Sequence, residues 1–238
     1  MDTVLVLGAS SDIGQEIIRR IAGPGMTIVA HYQTRPPALE VGGARIVPVQ
    51  ADFSSEDQVR ALTAWVRDEG LAPNKIVHLA APRVENLRFK DAGWNHFQDT
   101  IDVQLRSAVL VLREFLPEMA SQRRGKVVFV LSSYTYNVPP KFLSHYVTGK
   151  YAVLGLMKAL AIEYAGSGVN INAISPSMVE TEFLRNIPAK VVEIHRDQHP
   201  LKRNATPSDV APLAAFLLSP ESDYITGANV PVTGGLTF

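Results

Sequence analysis

The sequence contains no cysteine. It therefore forms no disulfide, no thiolate metal site and no cysteine nucleophile, a composition typical of proteins from a reducing cytosol. The 23 basic and 23 acidic residues give a formal net charge of zero, which does not favour nucleic acid or an anionic membrane as a partner. There is no basic leader and no uninterrupted apolar run of transmembrane length. We expect a cytoplasmic protein with neither kind of partner.

The 6 histidines do not form a recognisable metal-binding pattern. His195 and His199 are four residues apart, but the carboxylate pattern of a zinc hydrolase does not accompany them. We therefore expect no metal, and interpret these histidines as solvated or substrate-facing.

Short β-branched runs alternate with longer helical patterns along the whole chain. Nearly continuous apolar runs such as 4–7 and 127–131 predict strands buried on both faces, as in a parallel sheet. The predicted strands are 3–7, 27–31, 45–50, 75–79, 126–131, 170–174 and 229–232, and the predicted helices are 13–22, 56–69, 97–119, 146–164 and 207–218. This alternation predicts an α/β fold, with residues 1–238 forming a single-domain, Rossmann-like, doubly wound parallel sheet with helices on both faces. The weakly patterned segment 182–203 is predicted to be a substrate lid.

A glycine-containing turn, Gly8-Ala-Ser-Ser-Asp-Ile-Gly14, follows the first predicted strand and opens the first predicted helix. Glycines allow a tight turn, and the N-terminus of the helix offers free N–H groups to a pyrophosphate. Ser10 and Ser11 are candidate hydroxyl donors. The alternative is a simple strand–helix turn with Asp12 near the N-cap, where acidic residues are favoured.

The end of the second predicted strand, Ala30-His-Tyr-Gln-Thr-Arg35, lacks the carboxylate that usually binds a ribose 2′-hydroxyl. Thr34 and Arg35 suit a 2′-phosphate instead, so the sequence favours NADP(H) over NAD(H). The alternative is that Arg35 is a solvated loop charge.

Tyr146 and Lys150 are one helical turn apart, so their side chains share a helix face. A tyrosine with a pKa near ~10 is a poor acid–base group at neutral pH, and a nearby ammonium favours its phenolate. A hydroxyl from Ser132 or Ser133, at the end of the fifth predicted strand, is placed to hold a substrate oxygen. The alternative is an amphipathic helix with a surface lysine.

Further motifs extend along the chain in a fixed order. They are Gly8-xxx-Asp12-Ile13-Gly14, Asp52, Ser132-Ser133, Tyr146-xxx-Lys150, Asn172-Ala-Ile-Ser-Pro176, Val179-Glu-Thr181, Tyr224-Ile-Thr-Gly-Ala228 and Val232-Thr-Gly-Gly235. Together they resemble the short-chain dehydrogenase/reductase family, in the compact form that includes the 3-oxoacyl-acyl-carrier-protein reductases.

The resemblance implies a hydride-transfer enzyme with a Ser-Tyr-Lys centre. Tyr146 would be the acid–base, and Lys150 would bind the nicotinamide ribose and lower the pKa of the tyrosine. Counting back thirteen residues from the tyrosine gives Ser133 as the catalytic serine, whereas counting forward from Gly125 gives Ser132. We take Ser133.

The resemblance also implies a set of cofactor contacts, in which Asp52 meets the adenine ring and Ile174 and Val179 flank the nicotinamide carboxamide. The predicted cofactor-binding residues are Gly8, Ser10, Ser11, Asp12, Ile13, Gly14, Thr34, Arg35, Asp52, Phe53, Ala80, Ala81, Tyr146, Lys150, Pro176, Val179 and Thr181.

The chain departs from the family pattern at several positions. Asp12 replaces the middle glycine, where a carboxylate would repel a pyrophosphate unless it turns away to cap the helix. His78-Leu-Ala-Ala81 replaces Asn-Asn-Ala-Gly, and Ser177 replaces the glycine after the proline of the sixth strand. Gln104 occupies the position of the asparagine that completes the proton relay, so we include it among the predicted catalytic residues.

The predicted function is NADPH-dependent reduction of a β-ketoacyl or polyketide-like carbonyl, either small or carrier-protein-bound. Arg123 matches one of the two basic positions that dock a carrier protein, whereas the other is Ser167. Two alternatives remain: a dehydrogenase of a free small alcohol or sugar-like metabolite, and a weakly catalytic NADP-binding scaffold or sensor. The resemblance implies a homo-oligomer, tetramer or dimer, formed through the helices 97–119 and 146–164.

Overall fold

A parallel sheet of seven strands forms the centre of the molecule. The computed structural model describes residues 2–39 and 41–237. The strand order is β3-β2-β1-β4-β5-β6-β7, and every neighbouring pair is parallel. The strands are β1 (Thr3–Leu7), β2 (Thr27–Tyr32), β3 (Arg45–Gln50), β4 (Lys75–His78), β5 (Gly125–Val130), β6 (Val169–Pro176) and β7 (Asn229–Val232).

Helices cover both faces of this sheet. They are α1 (Asp12–Ile21), α2 (Glu56–Asp68), α3 (Trp94–Thr100), α4 (Ser107–Ser121), α5 (Ser144–Tyr164), α6 (Ala189–Gln198) and α7 (Pro207–Leu217). The apolar faces of α1 and α7 pack on one side of the strands, and those of α2, α4 and α5 pack on the other. The predicted single-domain, doubly wound α/β fold is confirmed.

The direction of winding reverses between β1 and β4. From β1 the chain proceeds outward through β2 and β3, then returns to place β4 against the other edge of β1. Connections leave the carboxyl ends of β1 and β4 in opposite directions, which opens a crevice there. This crevice is where such sheets bind ligands.

The predicted helix 97–119 is interrupted, so the expectation of one continuous helix is wrong. Residues Ile101–Arg106 form a π-helix between α3 and α4. The hydroxyl of Ser107 donates to the carbonyl oxygen of Val103 at 2.6 Å, and such side-chain bonds to helical carbonyls compete with the regular ladder. π-helical turns occur frequently at functional sites.

Gly149 of α5 allows the backbone of this helix to approach the interrupted region. A Cβ atom at Gly149 would lie 2.2 Å from Cγ2 of Thr100, far inside contact distance. The residue before Lys150 is therefore small for a packing reason, because any larger side chain would push α3 away from α5.

The segment 182–203 is largely helical. It contains a 3₁₀ turn at Glu182–Asn186 and helix α6, none of whose described side chains is buried. A parallel bridge between Val179 and Ala205 joins the two ends of the segment. Within the described ranges, no helix is both long enough and apolar enough to cross a lipid bilayer.

Candidate active site

The turn between β1 and α1 packs directly against the end of β4. Gly8 has a φ of +96°, and a Cβ there would lie 3.1 Å from the backbone nitrogen of Ala80. Ser11 is the N-cap of α1: its hydroxyl accepts from the N–H of Gly14 at 3.1 Å and donates to the carbonyl of Gly8 at 2.8 Å. The hydroxyl proton of Ser11 is thus used inside the turn, contrary to the expectation that Ser11 is available as a donor. The first N–H groups of a helix include some without intrahelical partners, which are suited to binding an anion.

Asp12 turns away from this turn, but it does not cap the helix as expected. Because Ser11 already serves as the N-cap, the carboxylate is free to reach elsewhere. Its Oδ2 atom accepts a hydrogen bond from the backbone N–H of Glu182 at 2.8 Å. The glycine turn is therefore connected to the segment 182–203.

His31, at the end of β2, forms hydrogen bonds to residues just after β1 and β3. Its Nδ1 atom accepts from the N–H of Gly8 at 3.1 Å, and its Nε2 atom donates to the carbonyl of Ala51 at 3.0 Å. The ring stacks on Phe53, with centroids 3.9 Å apart and planes 7° from parallel. Burial lowers the pKa of His31 to about 4, so the neutral ring keeps one acceptor and one donor nitrogen. Sequence reasoning missed this residue.

The predicted adenosine-binding residues lie at the same edge of the sheet. Oδ1 of Asp52 accepts from the N–H of Ser54 at 2.9 Å and from the amide of Gln33 at 3.1 Å, which orders the loop after β3. Thr34 and Arg35 are exposed beyond the end of β2. The carboxylate of Asp52 thus accepts one hydrogen bond from the chain after β2 and one from the chain after β3.

Tyr146 and Lys150 meet on α5 at the carboxyl end of β5. The Lys150 side chain is only 5% exposed, and its Nζ atom lies 5.6 Å from the Tyr146 ring centroid. Nζ donates to the carbonyl oxygen of Val130 at 3.0 Å. Burial lowers the pKa of Lys150 to about 8, because desolvation penalises the ammonium.

Ser132 and Ser133 lie just after β5 and make different contacts. The Ser132 hydroxyl accepts from the N–H of Tyr134 at 3.3 Å, whereas the carbonyl oxygen of Ser133 accepts from the N–H groups of Tyr136 and Asn137. Ser132 has an extended backbone and Ser133 begins a 3₁₀ turn. Of the two serines, Ser132 is the one whose hydroxyl influences the pKa of Tyr146.

Burial raises the pKa of Tyr146 to about 12, and the hydrogen bond from Ser132 offsets part of this effect. The expected lowering of this pKa by Lys150 is not what the structure shows, because desolvation of the phenolate is the larger effect. The phenol is therefore protonated at neutral pH. A phenol with a raised pKa is a weaker acid, so proton donation from it requires a group that stabilises the phenolate, such as the Lys150 ammonium.

Gln104 lies in the π-helix and is 1% exposed. Neither atom of its amide has a hydrogen-bond partner within the described part of the chain. The Nε2 atom lies 3.4 Å from the position of a Cβ on Gly149, so the amide faces α5 next to Lys150. A buried amide without partners is unfavourable unless a ligand or solvent molecule satisfies it.

His78 connects β4 to the first residue of α4. Its Nε2 atom donates to Oγ of Ser107 at 3.0 Å, since the hydroxyl of Ser107 itself donates to Val103. Burial, followed by the charge of Lys150, lowers the pKa of His78 to about 3. The segment that replaces Asn-Asn-Ala-Gly thus retains a polar connection at this residue.

Aromatic rings surround the Tyr146 phenol. Tyr134 stands edge-on to it, with centroids 6.5 Å apart and planes at 81°. Phe183, from the segment 182–203, lies 6.3 Å away. The rim is therefore apolar and includes a residue of the predicted lid.

The remaining predicted cofactor residues border the same crevice. Pro176 ends β6, Val179 is buried in the bridge to Ala205, and the Thr181 hydroxyl donates to the carbonyl of Val179 at 3.3 Å. Ala81 follows the end of β4. They bring the start of the segment 182–203 close to the glycine turn.

The two histidines at the end of this segment have structural partners. Nδ1 of His195 lies 2.8 Å from Oδ1 of Asn204, and Nε2 of His199 donates to the carbonyl of Thr233 at 2.9 Å. Among the residues that the structure describes, no group of three or more histidine, aspartate or glutamate side chains is arranged to hold a metal ion.

A doubly wound sheet with a glycine turn at the reversal point, beside a buried serine, tyrosine and lysine, defines a dinucleotide-dependent oxidoreductase. The family model described as enoyl-(acyl carrier protein) reductase matches residues 8–237. The chain belongs to the short-chain dehydrogenase/reductase family, whose members use nicotinamide cofactors, and it is a short-chain oxidoreductase.

Alignments with similar proteins cover nearly the whole of this chain. Oxidoreductase UcpA of Salmonella typhimurium is 32% identical in an alignment of 249 positions that covers 99% of this chain and 94% of that protein. The 3-oxoacyl-(acyl-carrier-protein) reductase FabG of Staphylococcus aureus is 29% identical in an alignment of 243 positions that covers 98% of this chain and 97% of its own. The crystal structure of a 3-oxoacyl-(acyl-carrier protein) reductase from Brucella melitensis has a TM-score of 0.87 at 26% identity, covering 100% of this chain and 91% of its own.

Proposed function

We propose that the protein is an NADPH-dependent ketoreductase that reduces a β-ketoacyl or polyketide-like carbonyl to the hydroxyl. The observation that carries the proposal is the placement of Tyr146 beside the buried Lys150, whose Nζ atom lies 5.6 Å from the centre of the tyrosine ring and is held by the carbonyl oxygen of Val130. Similarity to FabG-type reductases supports the substrate class.

The glycine turn fits a dinucleotide. A side chain at Gly8 would meet the backbone of Ala80, and one at Gly14 would lie 2.6 Å from the carbonyl oxygen of Gly8, so the cradle accepts only glycine without rearrangement. The first N–H groups of α1 would hold the pyrophosphate. When bound, the nicotinamide supplies the hydride.

In the proposed mechanism the chain itself handles the substrate oxygen and the proton. The Ser132 hydroxyl donates a hydrogen bond to the substrate oxygen and replaces Ser133 in that role. Tyr146 donates its phenolic proton to the same oxygen as the carbonyl carbon is reduced. Lys150, held by Val130, places its ammonium beside the resulting phenolate and stabilises it.

We propose that the Gln104 amide takes part in the proton relay that returns a proton to Tyr146 after each turnover. The amide is buried next to Lys150 and can both donate and accept a hydrogen bond. It is suited to holding a water molecule between the lysine and solvent, in place of the family's asparagine.

The coenzyme preference rests on the loop after β2. Thr34 and Arg35 are exposed there, whereas Oδ1 of Asp52 already accepts two hydrogen bonds. An exposed guanidinium suits a 2′-phosphate. We therefore propose NADP(H) rather than NAD(H).

Residues 182–203 are proposed as the substrate lid. The segment contributes Phe183 to the rim around Tyr146, and the side chains of α6 that the structure describes are not buried. An apolar rim with an aromatic lid suits an acyl chain better than a polyol.

A free small alcohol or sugar-like substrate is the second candidate. Arg124 forms an ion pair with Asp2. Ser167 occupies the second of the two basic positions that dock a carrier protein in the family. Of these basic residues, Arg123 is therefore the one left to bind an acidic carrier protein. Steady-state turnover with NADPH should be compared between β-ketoacyl thioesters and a panel of free ketones and polyols. The proposal expects the thioesters to give the higher kcat/KM. Turnover of free compounds alone would replace it with the second candidate, and turnover of neither class would favour a binding role.

A further inference from the structure

One hydrogen bond joins parts of the chain that are 170 residues apart. Oδ2 of Asp12, the first residue of α1, accepts from the backbone N–H of Glu182 at 2.8 Å. Glu182 is the first residue of the 3₁₀ turn that begins the segment 182–203. A carboxylate that accepts an N–H makes a charge-assisted bond, stronger than a neutral one.

The chain has no local need for a carboxylate at this position. Ser11 already caps α1 through Gly14, so Asp12 contributes to the helix only through its charge near the N-terminus. The acceptor is therefore available for Glu182. The bond is made to the backbone, so it depends on the residue at position 12 and not on the side chain of Glu182, which pairs with Arg185.

The two ends of the segment are also held to each other. Ala205 donates its N–H to Met178 at 3.0 Å and accepts from Glu180 at 2.8 Å. His199 donates to Thr233, which belongs to the chain after β7. The hydrogen bond from Glu182 to Asp12 adds a connection between the beginning of the segment and the phosphate-binding turn.

The residue after Glu182 is Phe183, whose ring packs 6.3 Å from that of Tyr146. Since the two residues are consecutive, the position of the Glu182 backbone influences where this ring lies relative to the proposed proton donor. We propose that Asp12 is a positioning residue: it latches the lid to the phosphate-binding turn and thereby places Phe183 over Tyr146. In this role Asp12 affects the position of the lid and the binding of the substrate, and it is not a ligand of the pyrophosphate.

Hydrogen–deuterium exchange of the purified protein tests the latch without substrate. Asp12→Ala removes the acceptor, so the peptide that contains the Glu182 amide should exchange roughly tenfold faster or more. Asp12→Asn keeps a side-chain carbonyl and should restore most of the protection. Asp57→Ala is the matched control, because Asp57 is also an acidic residue in the first turn of a Ser-capped helix. It loses the same favourable charge near a helix N-terminus but should leave exchange of the lid unchanged.

Kinetics test the positioning role, and this part rests on the proposed function. Asp12→Ala should lower kcat and raise the KM for the carbonyl substrate, each by roughly threefold to tenfold, because the lid closes less accurately. The Kd for NADPH, followed by coenzyme fluorescence, should stay the same or decrease, since a negative charge near the pyrophosphate is removed. Asp12→Asn should recover the substrate KM.

Two results would overturn the inference. One is unchanged exchange of the Glu182 peptide in Asp12→Ala. The other is a weakened Kd for NADPH with unchanged kcat at saturating coenzyme, which would make Asp12 a cofactor ligand. If exchange responds as expected but no carbonyl compound is reduced by the wild-type protein, the latch stands and the proposed function fails.

Discussion

The Nζ atom of Lys150 donates a hydrogen bond to the carbonyl oxygen of Val130, in a site where the lysine is 5% exposed. This bond joins α5 to the last residue of β5, and it holds a cation 5.6 Å from the ring centroid of Tyr146. Burial lowers the pKa of Lys150 to about 8, so the side chain stays mainly protonated at neutral pH. Lys150 therefore contributes a positive charge at a fixed position in the site, and Tyr146 contributes a protonated phenol.

Tyr146→Phe should reduce kcat by roughly a hundredfold to ten-thousandfold, because the substrate oxygen loses its proton donor. Binding of NADPH, measured by coenzyme fluorescence, should be nearly unchanged, because the ring remains. Tyr151→Phe serves as the control, since Tyr151 lies on the same helix with 47% of its surface exposed. Turnover that survives Tyr146→Phe would remove the tyrosine from the mechanism.

Ser132→Ala should lower kcat by roughly a hundredfold, whereas Ser133→Ala should have a much smaller effect on it. Ser132 is the serine whose hydroxyl reaches Tyr146 and can hold the substrate oxygen. Ser133 is buried, and the contacts of its backbone carbonyl with the turn after β5 are kept in Ser133→Ala, so kcat should change little. Steady-state kinetics and thermal unfolding of both variants would separate the two effects. The reverse ranking of kcat would restore Ser133.

The free energy of unfolding should fall as the pH falls below about 6.5. Burial lowers the pKa of His31 to about 4 and that of His78 to about 3, from 6.5 in the unfolded chain. Below pH 6.5 the unfolded chain binds protons that the folded chain does not, until the folded pKa is reached. Near pH 5 each histidine should cost on the order of 2 kcal/mol of stability. Urea denaturation at neutral and mildly acidic pH measures this change.

A histidine variant identifies the source of that pH dependence. His31→Gln cannot titrate, so it should be destabilised at neutral pH but lose stability less steeply on acidification. His96→Gln, which replaces a partly exposed histidine on α3, should keep the slope of the wild-type protein. Equal slopes in all three proteins would exclude His31 as a contributor.

The strands and the Tyr146–Lys150 pair could be predicted from sequence because each depends on local pattern. Apolar runs of strand length specify buried strands, and a spacing of four residues specifies one helix face. The π-helix at Ile101–Arg106 could not be predicted, because it depends on how Gly149 lets α5 approach and on the bond of Ser107 to Val103. The helical pattern of 97–119 is equally compatible with one regular helix.

Long-range contacts account for most of the other differences. The partner of Asp12 lies 170 residues away, and His31 is fixed by Gly8 and Ala51 from two other strands. A single sequence carries no signal for such pairs. The choice between Ser132 and Ser133 is hard to make from sequence for a different reason: the counts from the tyrosine and from the strand differ by one residue, and one residue changes the direction in which a side chain points.

Arg35→Ala should raise the KM for NADPH by roughly tenfold and leave the KM for NADH unchanged, because only NADPH carries the 2′-phosphate that the guanidinium would bind. Arg45→Ala is the control, since Arg45 is an exposed arginine at the amino end of β3, away from the crevice. Kinetics with both coenzymes measure the ratio. A wild-type preference for NADH, or an equal effect of Arg35→Ala on both coenzymes, would contradict this assignment.

Gln104→Met should stabilise the protein while it slows the reaction. The amide of Gln104 is buried without hydrogen-bond partners among the described residues, and methionine fills a similar volume with no polar atoms. Removing an unsatisfied amide should raise the free energy of unfolding by about 1–2 kcal/mol in urea denaturation. The loss of the proposed relay should lower kcat by roughly tenfold or more. Gln122→Met, at the exposed end of α4, should change neither quantity appreciably. A destabilised Gln104→Met protein with normal kcat would mean that the amide serves packing and not proton transfer.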